Sequence, residues 1–354
     1  MRSLLFLSAL VTSQLLHSQC VSGDCNNGKG TFQYSDGTTY TGYFKNRKCN
    51  GKGKITYPSG DVYEGDWVDD QKTGQGTYKS VKGDIYQGGF LNGEASGKGT
   101  YTYATGDVYT GDFKNGLFEG KGKCTYANGE VYEGDFKNDK KQGYGKYTWP
   151  IGDTYEGDWI DGLRTGQGTY MFSNGNKYIG GYIDGIQHGK GVYYYANGDK
   201  YEGDWVNGQK SGQGTFSYKN GSYYIGGFLN GEYNGHGIYF SADTKEIYEG
   251  SWSNDKRNGK GKYTGTDGAC ECTYLNDKRH GYGELRFSNG DVYKGAFYEG
   301  KREGEGEYIF ADGTIEKGSF INNEFVLGKI IYPNGKVKNY KKKIYDKTTV
   351  RNAQ

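Results

Sequence analysis

A tyrosine returns every 23 residues along this chain, at Tyr40, Tyr63, Tyr86, Tyr109, Tyr132, Tyr155, Tyr178, Tyr201 and Tyr224. Each opens a short motif with a glycine two residues on, as in Tyr40-Thr41-Gly42-Tyr43-Phe44 and Tyr63-Glu64-Gly65-Asp66-Trp67. A fixed period in this range marks a repeat array and not a globule built around one core. The period slips once. Tyr248 follows after 24 residues, the next slot (Cys270) after 22, and Tyr293 and Glu316 resume the spacing of 23. A Gly-x-Gly pair keeps step, from Gly28/Gly30, Gly51/Gly53 and Gly74/Gly76 to Gly304/Gly306. So does a turn glycine, from Gly37, Gly60, Gly83 and Gly106 to Gly221. After Gly313 the pattern fades, and Gly328 and Gly335 mark a worn half-repeat suited to a cap.

One unit, Gly97 to Phe113, shows what repeats. Thr100-Tyr101-Thr102-Tyr103 alternates polar and aromatic residues, the period of a strand. Ala104-Thr105-Gly106 is a turn, and Asp107 to Phe113 alternates again, placing Tyr109, Gly111 and Phe113 on one face and Val108, Thr110 and Asp112 on the other. Several units carry Asn-Gly at this turn (Asn128-Gly129, Asn174-Gly175, Asn197-Gly198), a strong hairpin signal. Each unit therefore reads as a β-hairpin, joined to the next by a polar loop such as Lys114 to Glu119, closed by Gly120. The fold class is all-β: an elongated array of antiparallel hairpins stacked into a single twisted sheet. A glycine between two aromatics implies close approach of another group. We expect its missing side chain to leave a slot for the tyrosine ring of a neighbouring strand. The residues that define the repeat are exemplified by Tyr63, Gly65 and Trp67, by Tyr155, Gly157 and Trp159, and by Tyr201, Gly203 and Trp205.

Composition agrees. Hydrophobic residues make up 33% of the chain, against 64 glycines and 37 tyrosines in 354 residues. Such a chain lacks the aliphatics for a large layered core and suits a thin sheet packed ring against ring. With 44 basic and 42 acidic residues the net charge is +2, which gives no pull toward nucleic acid. Glu64, Glu133, Glu156, Glu202 and Glu249 recur in one slot, and Asp66, Asp112, Asp135, Asp158 and Asp204 in another. Both slots lie opposite the aromatics, and lysines recur within Gly-x-Gly (Lys52, Lys98, Lys121, Lys190). The pattern predicts a solvated face with cross-strand ion pairs.

Residues 1–20 read as a signal peptide: Met1-Arg2, an apolar run from Leu4 to Val11, then small and polar residues, with cleavage after Ser18 or after Cys20. Residues 21–335 form the array, and 336–354 a basic polar tail in which Lys341, Lys342 and Lys343 are candidates for contact with anionic lipid heads. The expected location is outside the cell or in its envelope (the periplasm, in a bacterium). Export permits disulfides, and a bridge between Cys25 and Cys49 would pin the first hairpin, with Cys20 as a competitor for Cys25. Cys270 and Cys272 take the tyrosine and glycine slots of a degenerate repeat, either bridged or as two free thiols. His188, His236 and His280 read as loop residues beside Gly-x-Gly glycines.

The sequence holds no Gly-x-Ser-x-Gly elbow, phosphate loop or His-Glu-x-x-His. Its Gly-x-Gly pairs lead into strands, so no helix N-terminus awaits a phosphate. Its carboxylate pairs recur in every unit, whereas catalysis needs one site made special. No enzyme activity, cofactor, metal or small-molecule substrate is expected.

The unit Tyr155-Glu156-Gly157-Asp158-Trp159, with Gly166-Gln167-Gly168 and Gly175, resembles the MORN repeat (membrane occupation and recognition nexus). So does Tyr201-Glu202-Gly203-Asp204-Trp205 with Gly212, Gly214 and Gly221, and the resemblance runs from about Asn27 to Gly335. It implies stacked antiparallel hairpins and a role in protein–protein contact, scaffolding or membrane association. The expected function is a non-catalytic exported scaffold that binds an unidentified protein partner or itself. The alternatives are peripheral binding to anionic phospholipid through the lysine tail, and glycan binding through the rows of tyrosine.

Overall fold

The computed structural model describes residues 18–342, and among these are 29 strands and no helix. They fall into two compact units, one ending at Ile186 and the other beginning at Gln187.

In the first unit each strand pairs antiparallel with its neighbours in sequence. After Gln19–Gly23 and Lys29–Gln33, seven-residue strands such as Val62–Val68 and Thr154–Ile160 alternate with nine-residue strands such as Gln71–Lys79 and Leu163–Met171. Two kinds of turn join them. The turn at Gly83 spans Ser80 to Asp84, with Ser80 N–H donating to the Asp84 carbonyl (2.8 Å) and Gly83 N–H to Ser80 (2.9 Å). The other turn is tighter. Val68 is followed by Asp69 and Asp70, both with positive φ (48° and 70°), and the next strand begins at Gln71. Two left-handed residues in succession define the hairpin turn whose twist matches that of the strands.

That tight turn corrects the expectation of a polar linker. Lys114 to Glu119 is not a loop: Lys114 ends one strand, Asn115 and Gly116 make the turn (φ 51° and 77°), and Leu117 begins the next. Phe118, read as part of the loop, is buried and stacked flat on Tyr109 with 3.7 Å between ring centroids. Every connection in the unit is thus a hairpin turn, and strand follows strand without interruption.

The register aligns the glycines. Gly65 lies opposite Gly76, Gly76 opposite Gly88, and the file continues to Gly157, Gly168 and Gly180. Beside this file the ladder breaks at each repeat. Gly65 pairs with Gly76 but Asp66 pairs with Thr73, so Gly74 and Gln75 bulge from the longer strand. Gly74 there has φ 58°, a conformation that disfavours a side chain. A bulge at the same place in successive hairpins increases their twist.

The second unit is built the same way, from pairs such as Lys200–Val206 with Gln209–Ser217, with local departures from the regular repeat. Its turn at Ser241 to Glu246 holds one more residue than the corresponding turn at Tyr218 to Ser222, which is where the period lengthens. Its glycine file is broken once, by Cys272 opposite Gly261 and Gly283. At the end, Val337–Lys341 pairs with Glu324–Ile331, so this part of the expected tail is a strand that closes the worn half-repeat.

Candidate interaction surfaces

On the aromatic face the leading tyrosines are completely enclosed, Tyr63, Tyr155 and Tyr201 having no accessible surface. Each ring lies over the glycine file. A Cβ at Gly168 would stand 2.4 Å from Tyr155 Cε2, and one at Gly157 would stand 2.5 Å from Gly168 Cα and 2.7 Å from the Tyr155 hydroxyl. The expectation that a neighbouring strand's ring fills the slot at Gly157 is corrected. The ring over Gly157 belongs to its own strand, and it reaches across to fill the slot of the neighbouring strand's glycine. The bulge explains why the residue is tyrosine: Tyr63 O–H donates to the Asp66 carbonyl (3.0 Å), Tyr155 to that of Asp158 (3.1 Å) and Tyr201 to that of Asp204 (2.9 Å). A buried hydroxyl needs such an acceptor. Trp67 and Trp159 donate their indole N–H to the carbonyls of Gly53 and Gly145 (3.0 and 3.1 Å) in the preceding strand. Edge-to-face contacts then run from repeat to repeat, Tyr40 to Trp67 at 5.2 Å, Tyr63 to Phe90 at 4.8 Å and Tyr86 to Phe113 at 4.8 Å.

A second row on this face was missed in the sequence. The second residue of a long strand is cationic in many repeats: Lys72, Lys141 and Arg164 in the first unit, and Lys210, Arg257, Arg279 and Arg302 in the second. These side chains lie along the rings. Lys72 Nζ is 5.2–5.5 Å from the centroids of Tyr57, Tyr63 and Tyr78, and Lys141 Nζ is 4.4 Å from Tyr147 and 5.0 Å from Trp159. Burial pushes the Lys72 ammonium down to about 8 and also lowers Lys141 and Lys210. The signal was present, since Lys72, Lys141, Arg164, Lys210 and Arg302 keep the 23-residue phase.

The opposite face carries the charges. Lys52, Lys98 and Lys121 pair with Asp66, Asp112 and Asp135 at 2.7–2.8 Å in the first unit, and Lys190 with Asp204 at 2.6 Å in the second. The aspartates do more than pair. The second oxygen of Asp66 accepts the Gln75 N–H (2.9 Å), and Asp204 accepts that of Gln213 (3.0 Å), capping the bulge amide that the ladder leaves free. The Lys52 ammonium, and after it the Gln75 N–H, hold the Asp66 carboxyl below its ordinary range. No group of three or more Cys, His, Asp or Glu side chains suited to a metal ion occurs among the described residues.

One border of this charged face is apolar. The residue after each Trp or Phe leads into the tight turn and points away from the rings, and it is often aliphatic. Ile160 (54% exposed) lies opposite Leu163 (49%), and Ile183 (52%) and Ile186 (49%) flank the next tight turn. That turn is tied to Arg164 by the Gly185 N–H donating to the Arg164 carbonyl (2.8 Å) and by Arg164 Nη2 donating to the Gly185 carbonyl (2.8 Å). Val68 and Leu91 continue the row in the first unit, and Val206 and Leu229 repeat it in the second, all exposed.

The cysteines differ from expectation. Cys25 is bonded to Cys20, not to Cys49, with 6.0 Å between the Cα atoms. Cys49 is a free, buried thiol because it occupies the row of Lys72 on the aromatic face, 3.7 Å from the Tyr34 hydroxyl. Cys270 is bonded to Cys272, placing sulfur where other repeats lay a ring over glycine. His188, His236 and His280 lie within strands and not in loops. Of the lysines considered for lipid contact, Lys341 ends the last strand, Lys342 forms an ion pair with Glu324, and Lys343 lies outside the described residues, as does the leader up to residue 17.

The MORN repeat family matches thirteen segments of the chain: residues 27–39, 40–62, 63–85, 86–108, 109–131, 132–154, 155–177, 178–200, 201–223, 224–244, 248–270, 273–292 and 293–315. No curated protein matches the sequence. Among solved structures, the TCP domain of Drosophila melanogaster SAS-4, in complex with a proline-rich motif of Ana2, is 16% identical with a TM-score of 0.29, over 43% of this chain and 83% of that one. The G-box domain of the microcephaly protein CPAP is 10% identical with a TM-score of 0.24, over 60% and 93% of the two chains. The Staphylococcus aureus virginiamycin B lyase is 11% identical with a TM-score of 0.13, over 93% and 89%. Likenesses this distant carry no functional argument. The thirteen matched segments span most of the described residues, and eleven of them begin at a leading tyrosine that the fold buries: the chain belongs to the MORN-repeat family.

Proposed function

We propose that this chain is a non-catalytic, exported repeat scaffold that binds a protein partner, or a second copy of itself, through the aliphatic border of its charged face. The observation that carries this reading is the cluster of Ile160, Leu163, Ile183 and Ile186, four aliphatic side chains each about half exposed at adjacent tight turns. Contiguous exposed apolar surface on an otherwise polar face marks a place where another surface docks. Membership of a family of repeat scaffolds supports the same reading. Binding to anionic phospholipid through the lysine tail is less favoured, because Lys342 is already paired with Glu324. Glycan binding through the leading tyrosines has no support, because their rings are enclosed.

Export and cleavage after Ser18 belong to the proposal. That cut leaves Cys20 in the mature chain, where it pairs with Cys25. N-terminal sequencing of the protein recovered outside the cell tests it, and a chain that begins after Cys20 would contradict it. The docking claim is tested with the Ile160→Lys/Ile183→Lys double variant. Sedimentation and pull-down should show an assembly or partner that the wild type holds and the variant loses, with the circular dichroism spectrum unchanged. Equal recovery by both proteins would refute the role of this border.

A further inference from the structure

The aromatic face is not closed everywhere. In the second unit a cleft of about 600 Å³ opens between Lys210 and Arg257, walled by the rings of Tyr218, Tyr239, Trp252 and Tyr263. Its volume falls in the range of about 300–1,000 Å³ typical of small-molecule sites. Two departures from the repeat coincide here. The six-residue turn from Ser241 to Glu246 borders the cleft. The row position held by Lys72 or Arg164 elsewhere is Tyr233, which lies flat on Tyr224 at 3.7 Å between centroids and shares a 2.6 Å hydroxyl contact with Tyr218. This repeat has no long cationic side chain at that position, and Tyr218, Tyr239 and Tyr263 are half-buried while the leading Tyr248 is buried.

The polar groups of the cleft have capacity left. Lys210 Nζ rests 4.9 Å from the centroid of Phe216 and forms no ion pair among the described residues. Glu246 accepts the Tyr263 O–H through one oxygen (2.7 Å), and Asp255 accepts the Tyr233 N–H through one oxygen (2.7 Å). The second oxygen of each carboxylate accepts no hydrogen bond among the described residues. Arg257, by contrast, is committed to Asp277 through Nε (3.4 Å) and to its carbonyl through Nη2 (2.9 Å). The cleft thus offers flat ring faces, one ammonium donor and two carboxylate acceptors.

An anionic ligand would meet Glu246, Asp255 and Asp277, and a cationic one would meet Lys210 and Arg257. A neutral ligand that both donates and accepts, and that has a flat C–H face, meets no such opposition. We propose that this cleft binds neutral sugar residues of an oligosaccharide, with a pyranose stacked on Tyr239 and its hydroxyls bonded to Lys210, Glu246 and Asp255. Hydrogen bonds to ionised groups are the strong ones, and each sugar hydroxyl can serve either sign of charge. The site uses the outer rings of one irregular repeat, not the enclosed leading tyrosines, and it is independent of the aliphatic border.

The test is calorimetric titration of the full mature chain with cellotriose, maltotriose, chitotriose and mannotriose, alongside trigalacturonate and pentalysine as charged comparators. Saturable binding of at least one neutral trisaccharide is expected, with a dissociation constant on the order of 0.1–1 mM. Tyr239→Ala should weaken it by about tenfold or more, and Glu246→Gln by about threefold to tenfold, with unchanged circular dichroism. Should Tyr239→Ala fail to fold, Glu246→Gln decides alone. Absence of saturable binding by every neutral trisaccharide up to the order of 10 mM would overturn the proposal. So would binding that neither substitution weakens, or preference for trigalacturonate or pentalysine.

Discussion

Replacing Gly157 by valine puts the packing of ring over glycine to a quantitative test. The position has no left-handed φ, so valine brings no backbone strain of its own. Its Cβ would stand 2.5 Å from the Gln167 carbonyl oxygen, 2.5 Å from Gly168 Cα and 2.7 Å from the Tyr155 hydroxyl. Two of these atoms are backbone and cannot rotate away. Either the strands part or the Tyr155 ring leaves its place. Expelling the ring forfeits about 1.5–3 kcal/mol of burial. It also breaks edge contacts with Trp159 (5.3 Å) and Tyr182 (5.2 Å), worth about 0.5–1.5 kcal/mol each. The hydroxyl bond to Asp158 adds about 0.5–1.5 kcal/mol. The loss is therefore at least about 3 kcal/mol, the sum of the lower bounds. A repeat array need not unfold in one step, so the assay must be local. Amide hydrogen exchange read by mass spectrometry should show protection of Thr154–Ile160 and Leu163–Met171 falling about a hundredfold, while Val62–Val68 is unchanged. Thr169→Val, a nearly isosteric change on the opposite face, is the control. Unchanged exchange at Thr154–Ile160 in Gly157→Val would refute the reasoning.

Two further predictions concern pH. Burial raises the phenols of Tyr86, Tyr155 and Tyr293 to about 12, above the ordinary 10.0. The folded chain therefore holds these protons more tightly than the unfolded chain. The stability they contribute is fully present below pH 10 and is lost as pH rises toward 12. The share of tyrosinate absorbance that comes from these enclosed rings should appear in one cooperative step with loss of the circular dichroism signal. Lys72 acts in the opposite sense: burial lowers it from 10.5 to about 8, so the unfolded state binds more protons between those values. Wild-type stability should accordingly rise from about pH 8 to 10, and Lys72→Met should reduce that rise, both measured by urea denaturation.

The hairpins were legible because two periodicities coincide. Alternation in Thr100-Tyr101-Thr102-Tyr103 assigns strands, and the 23-residue return of Tyr-x-Gly stacks them. The misread segment, Lys114 to Glu119, contains Asn115-Gly116, the same dipeptide used as a turn signal elsewhere. It was obscured because the bulge at Gly120 breaks the alternation that would have marked Leu117 to Thr125 as strand. The row of Lys72 and Arg164 was hidden because a charged side chain in a polar segment reads as solvent-facing, and only the register sets Lys72 opposite Trp67 and Arg164 opposite Trp159. Spacing could not choose among Cys20, Cys25 and Cys49, because the choice depends on Cys49 facing the rings. The aliphatic border was visible as Ile160, Leu163 and Ile183, but in isolation each reads as an ordinary exposed residue, and only the register makes them neighbours. The cleft beside Tyr239 lies at the one slip in the period, which the spacing of Tyr224 and Tyr248 announced without showing its content.

Hydroxyl-radical footprinting of the native chain reads the alternate burial of its tyrosines directly. Tyr63, Tyr109, Tyr155 and Tyr201, which have no accessible surface, should be protected, while Tyr144 (53% exposed) and Tyr282 (69%) are oxidised rapidly. Oxidation of Tyr63 and Tyr155 at the rate of Tyr144 would mean that the rings do not lie over the glycine file, and the account of how these hairpins hold together would fail.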